Sequence, residues 1–183
     1  IKVMTGIRRS GKSVMLELIK EELAEAGVAP SQMISINFED MRYSHLQTAT
    51  ALHDEIIKRA EGIEGKAYLF FDEIQEVEGW EKCVNSLRVA LDCDIYITGS
   101  NAKLLSGELA TYIGGRYVEF VIYPFSFAEF LELYHTIAPS DSIQQCFQKY
   151  LLAGGMPYLA NLRYEEEPSR QYLTDLFNSV QLK

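Results

Sequence analysis

The chain has 183 residues, 48% of them hydrophobic and 23% charged, enough for one full core and the start of a second. Its net charge of −9 argues against nucleic-acid backbone as a partner of this segment, because neutralising phosphates takes clustered lysine and arginine. Scattered histidines and three cysteines (Cys83, Cys93, Cys146) without a CxxC pair exclude an evident zinc site and suit a reduced, cytoplasmic setting.

In chain order, IKVMT predicts a short first strand that runs into the loop GIRRSGKS, Gly6 to Ser13. Val14, Leu16, Leu18, Ile19 and Leu23 then recur at helical spacing and stop near Gly27. MISINF (Met33 to Phe38) is the second strand, and LHDEIIKRA, with Leu52, Ile56 and Ile57, the next helix. KAYLFFDEI (Lys66 to Ile74) is too continuously apolar for a half-exposed strand, so it predicts one buried on both faces. A helix over EKCVNSLRVAL follows, then a buried strand at Asp94 to Thr98 and a fifth at Tyr117 to Tyr123. Strands alternating with helices predict an α/β fold with a parallel sheet between helices.

Beyond Tyr123 the pattern is helical only. Ser126 and Glu129 stand at capping-box spacing ahead of Phe130, Leu131 and Leu133. A helix from about Asp141 to Ala153 is expected to stop at Gly154-Gly155, and a last helix to start after Pro168. The division expected is a nucleotide domain over 1–125 and a helical extension over 126–183. Ile1 in first place, and a helical pattern still running at SVQLK, make the chain read as a segment cut from a longer protein. No apolar run is long enough to cross a bilayer.

Gly6, Gly11, Lys12 and Ser13 match the phosphate-binding pattern GxxxxGK[ST]. Glycines let the backbone N–H groups of Gly6, Ile7, Arg8, Arg9, Ser10, Gly11, Lys12, Ser13 and Val14 turn around phosphate oxygens, at the positive end of a helix. Lys12 is expected to bind and stabilise the phosphates, and the Ser13 hydroxyl to ligate Mg²⁺. The strand in YLFFDEIQ ends in Asp72, a carboxylate placed at the edge where open α/β sheets bind ligands and suited to holding the same Mg²⁺. Glu73, next in sequence, is placed to polarise an attacking water.

A glutamate after the metal-binding aspartate usually accompanies an extra strand between the phosphate-loop strand and the aspartate strand, and DIYITGSN fits that strand. The expected fold is therefore a P-loop NTPase with a five-stranded parallel sheet in the order 5-1-4-3-2. At the end of the inserted strand, Thr98, Ser100 and Asn101 are placed to sense the γ-phosphate, Ser100 first. The other reading is that Ser100 or Asn101 caps the next helix. Arg116, just before the fifth strand, is either an arginine finger for a neighbouring subunit or a structural ion pair. Glu39 and Asp40 could tune the carboxylate or the metal.

GIRRSGKS, INFED, YLFFDEIQ, ITGSNAKLLSGELATYIGGRY, YPFSFAEF and GGMP, taken in this order, resemble the predicted AAA+-like P-loop ATPases of bacteria and archaea. The resemblance covers nearly the whole chain. It implies ATP rather than GTP, and a C-terminal domain resembling a restriction-endonuclease fold that this segment lacks. Paired arginines are frequent in the family's phosphate loops. Here Arg8 and Arg9 are expected to pair with acidic groups such as Glu39 or Asp40, or to face a neighbouring domain, with direct nucleotide contact as the alternative.

The function expected is Mg²⁺-dependent hydrolysis of ATP that moves attached domains, with a switch of little hydrolysis as the rival. Self-association or the absent C-terminal domain are the expected partners. A small-molecule kinase fits less well, since Ser126 to Tyr158 contains no arginine to form a lid.

Overall fold

A computed structural model describes residues 1–99 and 113–181. Within them the chain forms two compact units, Ile1–Gly6 with Lys12–Val121, and Ile7–Gly11 with Ile122–Lys183.

The first unit is built on five parallel strands: β1 (Lys2–Thr5), β2 (Met33–Asn37), β3 (Ala67–Asp72), β4 (Cys93–Thr98) and β5 (Val118–Val121). Their order is β2-β3-β4-β1-β5, the expected 5-1-4-3-2 read from the other edge. The inserted strand β4 pairs with β1 through Val3 and Ile97 and with β3 through Phe71 and Ile97, so it does separate the two motif-bearing strands.

Helices cover both faces, and the period-2 alternation of β3 shows how. Leu69 and Phe71 pack into a core with Leu52 and Ile56 of α2 (Ala49–Ala60) and Val84 and Leu87 of α3 (Trp80–Ala90). Phe70 points the other way, stacks on Tyr96 with centroids 4.9 Å apart, and lies under Lys20 of α1 (Lys12–Glu25). Leu69, Phe70 and Phe71 are all fully buried, which accounts for the unbroken apolar run.

Two expectations need correction in this unit. Val14 and Leu18 of α1 are exposed, and Leu16 is its buried apolar residue, so the apolar spacing overstates the inward face. The fifth strand is shorter than its sequence run, and all four of its residues are exposed, as befits an edge strand.

The second unit packs α4 (Phe127–His135), α5 (Ile143–Ala153) and α6 (Glu166–Gln181) around Phe130, Tyr134, Tyr164 and Tyr172. Its rings meet mostly at steep angles, Phe130 and Tyr164 edge-to-face at 5.0 Å. The expected capping box starts α4, with Ser126 N donating to Glu129 Oε2 at 2.7 Å. An unforeseen one, Ser142 with Gln145, starts α5. The last helix begins before Pro168 rather than after it. A proline in a first turn removes only an N–H that has no helical acceptor, so the helix starts at Glu166.

Gly155 shows why the GGMP stretch needs a glycine. Phe125 N donates to Gly155 O at 2.7 Å, and a Cβ added at Gly155 would lie 1.9 Å from the Phe125 carbonyl oxygen. Tyr150 holds the same carbonyl through its hydroxyl at 2.9 Å. Among the described residues no helix is long and apolar enough to cross a membrane.

Candidate functional site

The carboxyl ends of β1, β3 and β4 lie side by side in the sheet, so the residues that follow them converge. Asp72, the last residue of β3, is the hub. Its Oδ1 accepts from the Ser13 hydroxyl at 3.0 Å and from the Thr98 hydroxyl, and its Oδ2 accepts from Asn37 Nδ2 at 3.1 Å. The carboxylate is 7% exposed and Thr98 is fully buried, so these donors replace most of its water. Each partner is delivered by a strand end or a helix start: Asn37 stands opposite Asp72 in the β2–β3 register, and Ser13 lies in the first turn of α1.

Glu73 continues from Asp72 in the left-handed region at φ 54°, uncommon for a side-chain-bearing residue and costly unless neighbours enforce it. Two bonds do so. Its N–H donates to the Thr98 hydroxyl at 3.1 Å, and its Oε2 accepts from the Gln75 amide. Thr98 therefore touches both acidic residues, donating to one and accepting from the backbone of the other.

Lys12 begins α1, is buried, and its ammonium donates to the Gly6 carbonyl at 3.2 Å. The first turn of α1 carries no acidic residue, which leaves the helix's positive end uncompensated from within. Gly11 takes φ 102°, a conformation that side-chain-bearing residues rarely adopt. Ile7, Arg8 and Arg9 are exposed, while Ser10 is buried. Val14 is exposed in the first turn. Arg9, at φ 64°, lays its guanidinium over the Tyr172 ring, 5.4 Å from the centroid. Asp40, one of the two acidic residues suggested as partners for the arginines, is bonded to Arg42 at 2.6 Å.

Arg116 sits at the other end of the sheet. Its carbonyl accepts from the Ile1 amine at 3.5 Å, and its guanidinium donates to Asn85 of α3 at 2.9 Å. It thus lies beside the start of β1, whereas Gly6 follows its end. Four residues of strand span about 13 Å, which separates Arg116 from the phosphate-loop edge of its own chain. Ser100 and Asn101 lie outside the described residues.

Asn37 is a residue that sequence reasoning misses. Its signal is its place one residue before Phe38 in INFED, which becomes informative only once β2 is aligned with β3. Thr98 does stand out in the sequence, but there it ranks behind Ser100.

The oxygen set fits a small hard cation. Mg²⁺ takes oxygen ligands at one or two carboxylates and completes its shell with water and substrate phosphates. Ser13 Oγ and Asp72 Oδ1, 3.0 Å apart, are such a partial set. Among the described residues no group of three or more His, Cys, Asp or Glu forms a separate metal cage.

The family described as AAA domain matches residues 1–131. A protein of Haemophilus influenzae described as uncharacterized is 42% identical over 183 residues, covering all of this chain and 45% of that protein. The uncharacterized protein MJ1544 of Methanocaldococcus jannaschii is 34% identical over 189 residues, covering 97% of this chain and 41% of its own length. The chain thus spans less than half the length of both relatives. Among solved structures, the Aeropyrum pernix ORC1 protein in complex with DNA superposes with a TM-score of 0.51 at 17% identity, covering 75% of this chain and 43% of that one. That likeness is one of fold.

Proposed function

The chain belongs to the AAA domain family of P-loop ATPases, and from that premise we propose that it binds ATP with Mg²⁺ at the Gly6–Ser13 loop and hydrolyses it. The observation that carries the reading is the bond from Ser13 to Asp72, which joins the loop's end to the end of β3 beside Glu73. In this reading Lys12 and the backbone N–H groups of Gly6 to Val14 hold the triphosphate. Ser13 and Asp72 hold Mg²⁺, which when bound offsets charge on the phosphate oxygens. Glu73 takes a proton from the water whose oxygen attacks the γ-phosphorus, while the bond to the β–γ bridging oxygen breaks and ADP leaves. Thr98 fixes Asp72 and the Glu73 backbone together, so metal ligand and base keep their spacing.

Arg116 is assigned a role in trans, since Asn85 holds it away from its own loop. Ser100, two residues beyond β4 in sequence, is proposed as the γ-phosphate sensor. Hydrolysis in the ATP-binding residues 1–125 would be read out by the helical residues 126–183, and by further domains of the whole protein, which the relatives' lengths suggest. DNA is raised as a partner by the solved ORC1 complex, and the net charge of −9 weighs against it for this segment.

A second reading, a switch that binds ATP with little turnover, is favoured by one contact: the Gln75 amide occupies an oxygen of Glu73, the group needed as base. The test of binding is the ATP dissociation constant of the whole protein with Mg²⁺, for wild type and Lys12→Ala. The reading expects binding to be lost in the variant. Equal affinity would exclude the loop as the phosphate site.

A further inference from the structure

The second unit contains the phosphate loop's middle residues, Ile7–Gly11, together with α6 and the GGMP stretch. That grouping brings together the arginine pair in GIRRSGKS and the GGMPY turn, two motifs that the proposed chemistry leaves without a role.

The link is a column of three side chains. The Arg9 guanidinium lies over the Tyr172 ring at 5.4 Å, and the Tyr172 ring packs against that of Tyr158 at 5.0 Å. Tyr158 belongs to the turn that follows Gly155, and Gly155 is pinned to Phe125 by a bond that tolerates no side chain. The column is therefore joined, through the turn that carries Tyr158, to the close backbone contact at Gly155. At its tip Arg9 holds φ 64°, a left-handed conformation that a side-chain-bearing residue keeps only when its surroundings enforce it. The direction of the N–H groups on either side of residue 9 depends on that φ.

Around the column stand hydroxyls that are buried and without a hydrogen-bond partner among the described residues: Ser10 next to Arg9, and Tyr172 and Ser169 one turn apart on α6. A buried polar group left unpaired is costly, and a small shift of loop against helix is the simplest way to pair it.

We propose that Tyr172, acting through Arg9, is a positioning residue for the phosphate loop: the ring on α6 fixes the conformation of residue 9 and so the affinity of the loop for the nucleotide's phosphates. This rests on the reading of the loop as an ATP site. Linkage then requires the reverse effect, that nucleotide in the loop shifts the equilibrium of the Arg9–Tyr172 contact by the same factor. It gives the helical unit a direct mechanical line to the nucleotide, and it assigns Arg9 a partner that is neither a carboxylate nor ATP.

The test is a double-mutant cycle in the whole protein, read as the dissociation constant for ATP with Mg²⁺. Tyr172→Leu and Arg9→Ala should each weaken binding by about twofold to thirtyfold, the span of a cation–π contact. The double variant should be no weaker than the worse single one. Tyr172→Phe keeps the ring and should hold affinity within about twofold of wild type, which a role carried by the hydroxyl would not predict. Hydrogen exchange supplies the second readout: ATP should slow exchange over α6 in wild type and not in Arg9→Ala, a surface variant that leaves the core intact. If Lys12→Ala abolishes binding but Arg9→Ala and Tyr172→Leu bind as wild type, the positioning role is wrong while the ATP site stands. Additive losses in the cycle would overturn it too, since Arg9 would then act on nucleotide without Tyr172. Unchanged binding in Lys12→Ala removes the site and the inference together.

Discussion

The Thr98 hydroxyl donates to Asp72 Oδ1 and accepts from the backbone N–H of Glu73, so one buried side chain ties both acidic residues at the end of β3 to the end of β4. Replacing it by an isosteric apolar group tests that role without opening a cavity. Thr98→Val leaves the Glu73 N–H without its acceptor and Asp72 short of a donor. A buried donor left unpaired costs about 1–3 kcal/mol, so the urea midpoint should fall accordingly. An unchanged midpoint would mean that water reaches both groups.

Gly155→Ala probes the base of the second unit. Its Cβ would meet a backbone carbonyl, that of Phe125, at 1.9 Å, and a backbone atom cannot swing aside as a side-chain tip can. The chain must separate at the Phe125–Gly155 hydrogen bond, which should cost about 3 kcal/mol, the upper end for overpacking. Gly154→Ala offers the comparison, because a Cβ there meets nothing within 4 Å and only its φ of 72° is strained. The thermal midpoint of the two variants ranks them, with Gly155→Ala expected to be the lower.

Acid sensitivity should map in part to the start of α4. Hydrogen bonds from the Ser126 side chain and backbone hold the Glu129 carboxyl below its usual value of 4.5. A carboxyl whose folded value is depressed adds stability above its unfolded value and loses it as pH falls through the folded one. Ser126→Ala should therefore narrow the stability difference between pH 6 and pH 3, measured as the shift in unfolding midpoint. If the two proteins keep parallel pH profiles, the capping contact is not the source.

Much of this architecture is legible in the sequence because its signals are local. A run such as AYLFFD needs cover on both faces, and a glycine loop between an apolar strand and a helix leaves few alternatives. The acidic pair at a strand end, together with the DIYIT run, is enough to expect the inserted strand. What escapes depends on register or on distant pairing. Asn37 becomes a partner of Asp72 only once β2 is aligned on β3. Nothing near Arg9 announces Tyr172, and no local pattern distinguishes the buried Leu16 from the exposed Leu18 of α1. The start of α6 is misplaced when Pro168 is read as a boundary, because the first turn of a helix accepts proline.

The most direct test of the central claim is phosphate release from ATP by the whole protein with Mg²⁺, comparing wild type with Glu73→Gln. The glutamine keeps the shape of the side chain and removes the base. The variant should still bind ATP while its turnover falls by about 10²- to 10⁴-fold, the worth of a positioned general base. Equal turnover in the two proteins would contradict that claim, and would leave the loop as a binding switch in which Glu73 has no part in chemistry.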